Sequence, residues 1–292
     1  MISPIMYVIL SFVPAGILSL MFEIWQRISH VRSARASVTD KLLRPPGESC
    51  RRKMELLDDK IGELSIWIIG FPATLLLCYL SSSGTDTPSR PKVWVLAVVA
   101  AAIILGGLVW RMIVLIKQRD EYRRGFSGER AVGEQLNQLM CDGCRVFHDF
   151  PLDEGGNISH VVVSPSGVFT IQTRFKRKGA ASETQQAHEV IYDGKSLEYP
   201  YQSESADLNR SRHQAAQLEK FLNPHLHEQV GVQPVLTLPG WFVISRALGD
   251  VIVLNPKMLD AAILSPSATN LSPERIKEIS RLLDQKCRDV EF

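Results

Sequence analysis

The chain has 292 residues, 45% of them apolar and 22% charged, with a formal net charge of +2. These values exclude an intrinsically disordered chain, a collagen-like repeat and a small disulfide scaffold. The length allows about two domains, and the charges divide accordingly: residues 1–117 hold 13 Lys and Arg against 8 Asp and Glu, and residues 118–292 hold 20 against 23. The second part has no overall basic field, so attraction to a polyanion would need a local patch.

The first predicted elements are membrane spans. Uncharged runs lie at 5–22, 64–80 and 93–110, and the last resumes after Arg111 as far as Ile116. Each approaches the roughly 20 residues that cross a bilayer core. Arg111 can snorkel towards the headgroups on its long stem. Pro14 and Pro72 fall inside the first two runs, where membrane helices tolerate proline. Trp25, Trp67, Tyr79, Trp94 and Trp110 lie near run ends, as interfacial aromatics do. The pattern predicts three N-terminal transmembrane helices, at about 5–22, 64–80 and 93–116. A cleavable signal peptide is not expected, because basic residues follow the first run and none precedes it.

Nine Lys and Arg fall in loop 25–63 and two in loop 81–92, while Lys117, Arg119, Arg123 and Arg124 follow the third run. The positive-inside rule then puts the N-terminus outside and the domain 118–292 in the cytoplasm. The expected location is the cell (inner) membrane, multi-pass, with the lipid bilayer as partner. Arg44-Pro45-Pro46-Gly47 is expected to split loop 25–63 into two short surface helices. Ala102 and Gly106 offer a small-xxx-small face for a homo-oligomer. The runs hold no acidic residue, so an ion path is not expected.

In the soluble part, Ser127 is the expected N-cap of a helix with the apolar stripe Val132, Leu136, Leu139 and Met140. Glu129 precedes Val132 by three residues and shares its inward face. An acid there needs a partner, a metal or water, or it answers the helix N-terminus. Strands are expected at 145–150, 158–163 and 168–174, the last two joined by the tight turn Ser164-Pro165-Ser166-Gly167. In the third, Thr170, Gln172 and Arg174 share one face and Phe169, Ile171 and Thr173 the other. Strands at 189–192 and 196–199 meet through Asp193-Gly194, a hairpin signal. A helix at about 203–222, buried-type strands at 241–245 and 251–254, and a final helix opening on Ser272-Pro273 complete a mixed α/β domain around a central sheet. The final helix carries the stripe Ile276, Ile279, Leu282 and Leu283.

Three motifs stand out: Gly128-Glu129-Arg130-Ala131-Val132, then Gly156-Asn157-Ile158-Ser159-His160-Val161-Val162-Val163, then Ser166-Gly167-Val168-Phe169 running into Ile171-Gln172-Thr173-Arg174. With Asp250-Val251-Ile252-Val253-Leu254 and Leu259 behind them, they resemble the NERD domain, the nuclease-related domain, over about 125–260. The resemblance implies a PD-(D/E)xK, restriction-endonuclease-like fold. It also implies a magnesium-dependent nuclease core with a helix Glu, a strand Asp and an E-x-K on the next strand. Carboxylates would hold a hard Mg²⁺ ion that activates water, and the Lys would steady developing charge.

Carried onto this chain, those positions are Glu129, Ser159, Gln172 and Arg174. Only Glu129 keeps the type that the resemblance implies, so it is the one metal candidate. One carboxylate makes a poor Mg²⁺ cage, and Arg174 grips phosphate without replacing a catalytic Lys. The expected site is degenerate and weak or inactive, with Mg as cofactor only if it works. Asp149, Asp153 and Glu154 precede Ser159 and could supply a migrated carboxylate. Arg174, Lys176, Arg177 and Lys178 form a candidate phosphate patch for DNA or RNA, and Gln202, after Pro200-Tyr201, is a further candidate from the resemblance.

Cys141-Asp142-Gly143-Cys144 lacks the second pair that a structural zinc needs. The leading expectation is a membrane-anchored nuclease-like protein that binds nucleic acid or a partner. The alternatives are an active Mg-dependent membrane-tethered endonuclease and a scaffold whose domain binds protein only.

Overall fold

The computed structural model describes residues 41–82, 91–153, 155–176, 178, 186–265 and 270–290, with side chains left out at 76–82, 91–94 and 290. In chain order the elements are β1 (Leu42–Leu43), helix α1 (Glu48–Ser82) and helix α2 (Pro91–Gln138). Strands β2 (Arg145–Pro151), β3 (Asn157–Ser164), β4 (Gly167–Thr173), β5 (Glu189–Tyr192), β6 (Leu197–Tyr199) and β7 (Gln202–Glu204) follow. Helix α3 (Ala206–Leu222) leads to β8 (Val232–Thr237), β9 (Phe242–Ser245) and β10 (Ile252–Leu254), and the chain ends with α4 (Leu259–Leu264), α5 (Pro273–Cys287) and β11 (Arg288–Val290).

The chain divides into two compact units; among the described residues one takes 52–122, and the other takes 41–51 with 123–290. In the first unit, Arg119 pairs with Asp58, and the Lys53 ammonium lies 5.3 Å from the Tyr122 ring centre. Among the described residues, one helix is long and apolar enough to cross a membrane, by length and composition. It is α2, where an 18-residue window has mean hydropathy 2.4 and none of it is buried. Val95, Ile103 and Trp110 are exposed, and a side chain added at Gly106 would meet nothing.

Among the described residues, one of the three expected spans is therefore supported. The run 5–22 lies outside the described residues. The run 64–80 is the second half of α1, a single helix that starts directly after Gly47 rather than a short surface helix followed by a span. Likewise, the helix expected to start at Ser127 is the end of α2. Ser127 is no cap: its hydroxyl donates to the Arg123 carbonyl one turn back.

In the second unit, the central sheet has the order β10-β8-β4-β3-β2. β2, β3 and β4 run antiparallel, and β4, β8 and β10 run parallel. A smaller mixed sheet has the order β7-β6-β5-β9, and β1 pairs with β11. Residues of α2 pack one face of the central sheet, where Val132, Leu136 and Leu139 meet Val162, Phe169 and Ile171. Helices α3 and α5 cover the other, where Leu218, Leu222, Ile279 and Leu283 meet Phe147, Phe150, Val161 and Val163. The architecture is mixed α/β with mixed sheets, consistent with a nuclease-like domain.

One strand was not expected, and one expectation needs correcting. β8 runs through the middle of the sheet although Pro234 interrupts its apolar pattern. Its pairing with β10 starts only at Val235, so Pro234 sits where β8 has a neighbour on one side alone. And β9 is not of a buried type: Phe242 is exposed, and the burial falls on Trp241 just before it.

Candidate functional site

Glu129 enters from α2, two residues after Ser127 and one turn before Val132, so it faces the sheet and is buried. Its Oε1 accepts the Ser159 hydroxyl of β3 at 3.0 Å, and the Cys50 thiol lies 4.0 Å from Oε2. The Ser159 Oγ also accepts the Thr173 backbone N–H at 3.4 Å. Glu129 and Ser159 thus come together as expected, in a hydrogen bond rather than in a carboxylate pair.

Gln172 and Arg174 belong elsewhere. Phe169 and Ile171 of β4 face α2, so alternation turns Gln172 and Arg174 towards α3. The Gln172 Oε1 accepts the Ser211 hydroxyl at 2.8 Å. The half-exposed Arg174 pairs with Asp207 at 3.0 Å. The four expected positions are split into two sets on opposite faces of the sheet.

The expected basic run is likewise drawn inward. Lys176 is largely buried, lies 3.3 Å from Asp207, pairs with Glu204 and sits 4.8 Å from the Tyr199 ring centre. Burial lowers its pKa, and Asp207 works against that. The Lys176 carbonyl accepts the Trp241 indole N–H at 3.3 Å. Lys178 is exposed, and Arg177 lies outside the described residues. Gln202 is at the surface, where its amide donates to Glu204 at 3.2 Å.

Of the three acids considered as substitutes, Glu154 lies outside the described residues, and Asp153 is exposed and pairs with Lys286 at 2.6 Å. Asp149 is fully buried at a backbone φ of +52°, a region non-glycine residues enter only when their surroundings demand it. Its Oδ2 accepts the Ser49 N–H at 2.9 Å and the Ser49 hydroxyl at 2.7 Å. Arg44 lies 3.4 Å from it, and Asn157 donates to Oδ1. Desolvation raises the pKa of Asp149, and Ser49 and Arg44 pull it down.

Beside Asp149, two imidazoles are buried together: the Nδ1 atoms of His148 and His160 are 2.9 Å apart, and the Asn137 side-chain oxygen is 3.0 Å from His148 Nε2. Burial lowers the His148 pKa to about 4 and holds His160 well below the usual range, with His148 adding to the effect. Arg44, Ser49, Asp207 and the imidazole pair were missed at the motif level. The signal for Asp207 was an acid in the first turn of a helix; Arg44 and Ser49 carry none, because their partner lies about 100 residues away.

The donor set does not fit a divalent ion. Glu129 meets a hydroxyl, and Asp149 is held by a guanidinium and a helix N-terminus. Among the described residues no group of three or more His, Cys, Asp or Glu could hold a metal. Cys141 is exposed and Cys144 is buried in the core, so the pair frames no site.

Comparison with known proteins brings one match: the family model described as nuclease-related domain (NERD) covers residues 124–239. That region contains Glu129, β2 to β8 and α3. No curated protein and no solved structure matches the chain.

Proposed function

We propose that this chain is a membrane-tethered, nuclease-like protein whose NERD-type domain binds nucleic acid without cutting it efficiently. The observation that carries this reading is the Glu129–Ser159 hydrogen bond. Where a metal-dependent nuclease needs two carboxylates facing one cation, this domain holds one carboxylate against a neutral donor at 3.0 Å. The tether is supported by the uncovered apolar stretch of α2. Binding is supported by the half-exposed Arg174 and the exposed Lys178, cations of the kind that grip phosphate.

A scaffold reading, in which the domain binds protein only, draws on the capture of Lys176 by Asp207 and Glu204. The full chain in detergent micelles is the right material, because residues 41–51 belong to the soluble unit. It should show DNA or RNA binding that weakens steeply with salt and no chelator-sensitive cleavage with Mg²⁺ or Mn²⁺. A variant carrying Ser159→Asp, Gln172→Glu and Arg174→Lys should not gain cutting, because the first position and the other two face opposite sides of the sheet. Cleavage by the native chain, abolished by Glu129→Ala, would overturn the proposal. Salt-insensitive binding, or none, would favour the scaffold.

A further inference from the structure

Only residues 41–51, of the described residues before 123, belong to the soluble unit. They cross the carboxylate end of its central sheet. β1 pairs with β11, Leu42 opposite Val290 and Leu43 opposite Arg288, and the Arg44 N–H donates to the Cys287 carbonyl at 3.1 Å. The Arg44 guanidinium donates to Asp289 through Nε at 2.6 Å and to the Asp149 carbonyl through Nη1 at 3.0 Å. Gly47 is pressed on Phe126: a Cβ there would lie 2.7 Å from its ring and 3.6 Å from the Glu129 carboxylate. Pro46 fits over Gly133, where a Cβ would come within 2.7 Å of the proline ring. Ser49 reaches Asp149, and Cys50 reaches Glu129. Glu129 and Asp149 therefore meet the same four-residue stretch, which carries a third buried carboxylate, Glu48.

We propose that residues 42–51 form a releasable strap that closes over Glu129 and Asp149 and is latched by Arg44. The strap is held by polar contacts more than by burial. Leu43 and Pro45 are exposed, Leu42 and Pro46 are half-buried, and none of the four enters a core cluster; Gly47 and Glu48, where α1 begins, are buried but bring no apolar side chain. Its strand is two residues long. Little apolar area is lost when it lifts, whereas the ionic latch responds to charge removal and to salt. On lifting, it uncovers Glu129, Asp149 and Cys287, the last residue of α5 at the margin of one core layer, and leaves the rest of both layers in place. This inference goes beyond the proposed function and does not depend on whether the domain cuts or binds nucleic acid.

The native cysteines test it. Cys50 lies on the strap, Cys287 is buried beside it, Cys144 is buried in the α2 layer, and Cys141 is exposed. Burial pushes the Cys287 thiol up to about 12, so it is inert while covered. The full chain in detergent micelles is treated with iodoacetamide, and labelling is followed site by site by peptide mass spectrometry. In Arg44→Gln, Cys50 and Cys287 should label at least about tenfold faster than in the native chain, with Cys144 unchanged. Asp289→Asn leaves Arg44 on Asp149 and should accelerate the same two sites less. Molar salt should act as the weaker variant does. Labelling that stays at the native rate in both variants overturns the latch. Acceleration of Cys144 in step with Cys287 overturns the strap, because the segment would then be an integral part of the core. Should Arg44→Gln not fold, Asp289→Asn and the salt series decide by the same two criteria.

Discussion

Two sites of this domain each bury an aspartate at a helix N-terminus, and they secure it differently. Asp207 lies in the first turn of its own helix, α3, and its cations, Arg174 and Lys176, leave the adjacent strand β4. Asp149 lies on β2, and the helix end that meets it is that of α1, reached through Ser49 and Arg44 about 100 residues earlier. The first arrangement is local: folding α3 against β4 brings acid and cations together. The second exists only once a distant segment has docked. A carboxylate at a helix N-terminus is favourable in both cases, yet only the first is secured by the hairpin and helix that carry it. This difference explains why a strap can be released at one site and not at the other.

The largest expected effect tests whether the two sites are independent. The Asp207 site rests on Trp241, which is 1% exposed, and Tyr199 meets it edge-on at 4.9 Å between ring centres. Trp241→Ala should cost about 3–5 kcal/mol, read as a drop in the denaturation midpoint. Hydrogen exchange at 42–50 should rise only by that global amount. Selective exposure of 42–50 would mean that the sites are coupled.

The next effect comes from the imidazole pair behind Asp149. The folded pKa of His148 is lowered to about 4 from 6.5. The unfolded chain therefore takes up a proton first as pH falls. The stability in question is fully present above about pH 6.5, is lost between there and about pH 4, and stays lost below. A shift of this size corresponds to about 3 kcal/mol at roughly 1.4 kcal/mol per unit. His160 acts in the same direction. Asp149 acts in the opposite one: its raised pKa lets the native state take up a proton before the unfolded chain does. Denaturant midpoints at pH 7.5 and 4.5 check the balance, and a flat profile would show either that Asp149 offsets the imidazoles or that the imidazoles are hydrated.

A smaller effect belongs to the Glu129–Ser159 pair. Ser159→Ala removes one neutral donor from a buried carboxylate and should cost about 1–2 kcal/mol. Ser159→Asp should cost more, since two buried acids would then share the pocket without a cation. Equal costs for the two variants would mean that the pocket admits water or an ion.

How much of this could be read beforehand follows from sequence distance. The β2–β4 meander, the β5–β6 hairpin at Asp193-Gly194 and the capped α5 were all legible, because turn chemistry and alternation act over a few residues. Ser272 caps α5 by accepting the Arg275 N–H at 3.2 Å, as expected from its sequence. β8 was missed because Pro234 argues against a central strand until the short reach of β10 is known. Ser127 misled because a serine inside a helix can satisfy its own hydroxyl on the preceding turn. Glu129 was legible as an inward-facing acid in need of a partner. The diversion of Arg174 to Asp207 was not, since period-2 alternation gives a face and does not name the helix lying on it.

The smallest expected effect marks the lower bound of the comparison. Arg212 and Asp250 form a two-point ion pair, at 2.6 and 2.8 Å, that links α3 to the loop before β10. By geometry alone it is better than the 3.0 Å contact of Arg174 with Asp207. But both of its side chains reach solvent, at 33% and 60% exposure, and water with salt offers each ion nearly as much as its partner does. Arg212→Ala should therefore shift stability by about 0.5 kcal/mol, and still less in molar salt. A loss as large as that of a buried substitution would show that contact geometry, and not burial, decides what these charges contribute, and the contrast between the two aspartates would then need another cause.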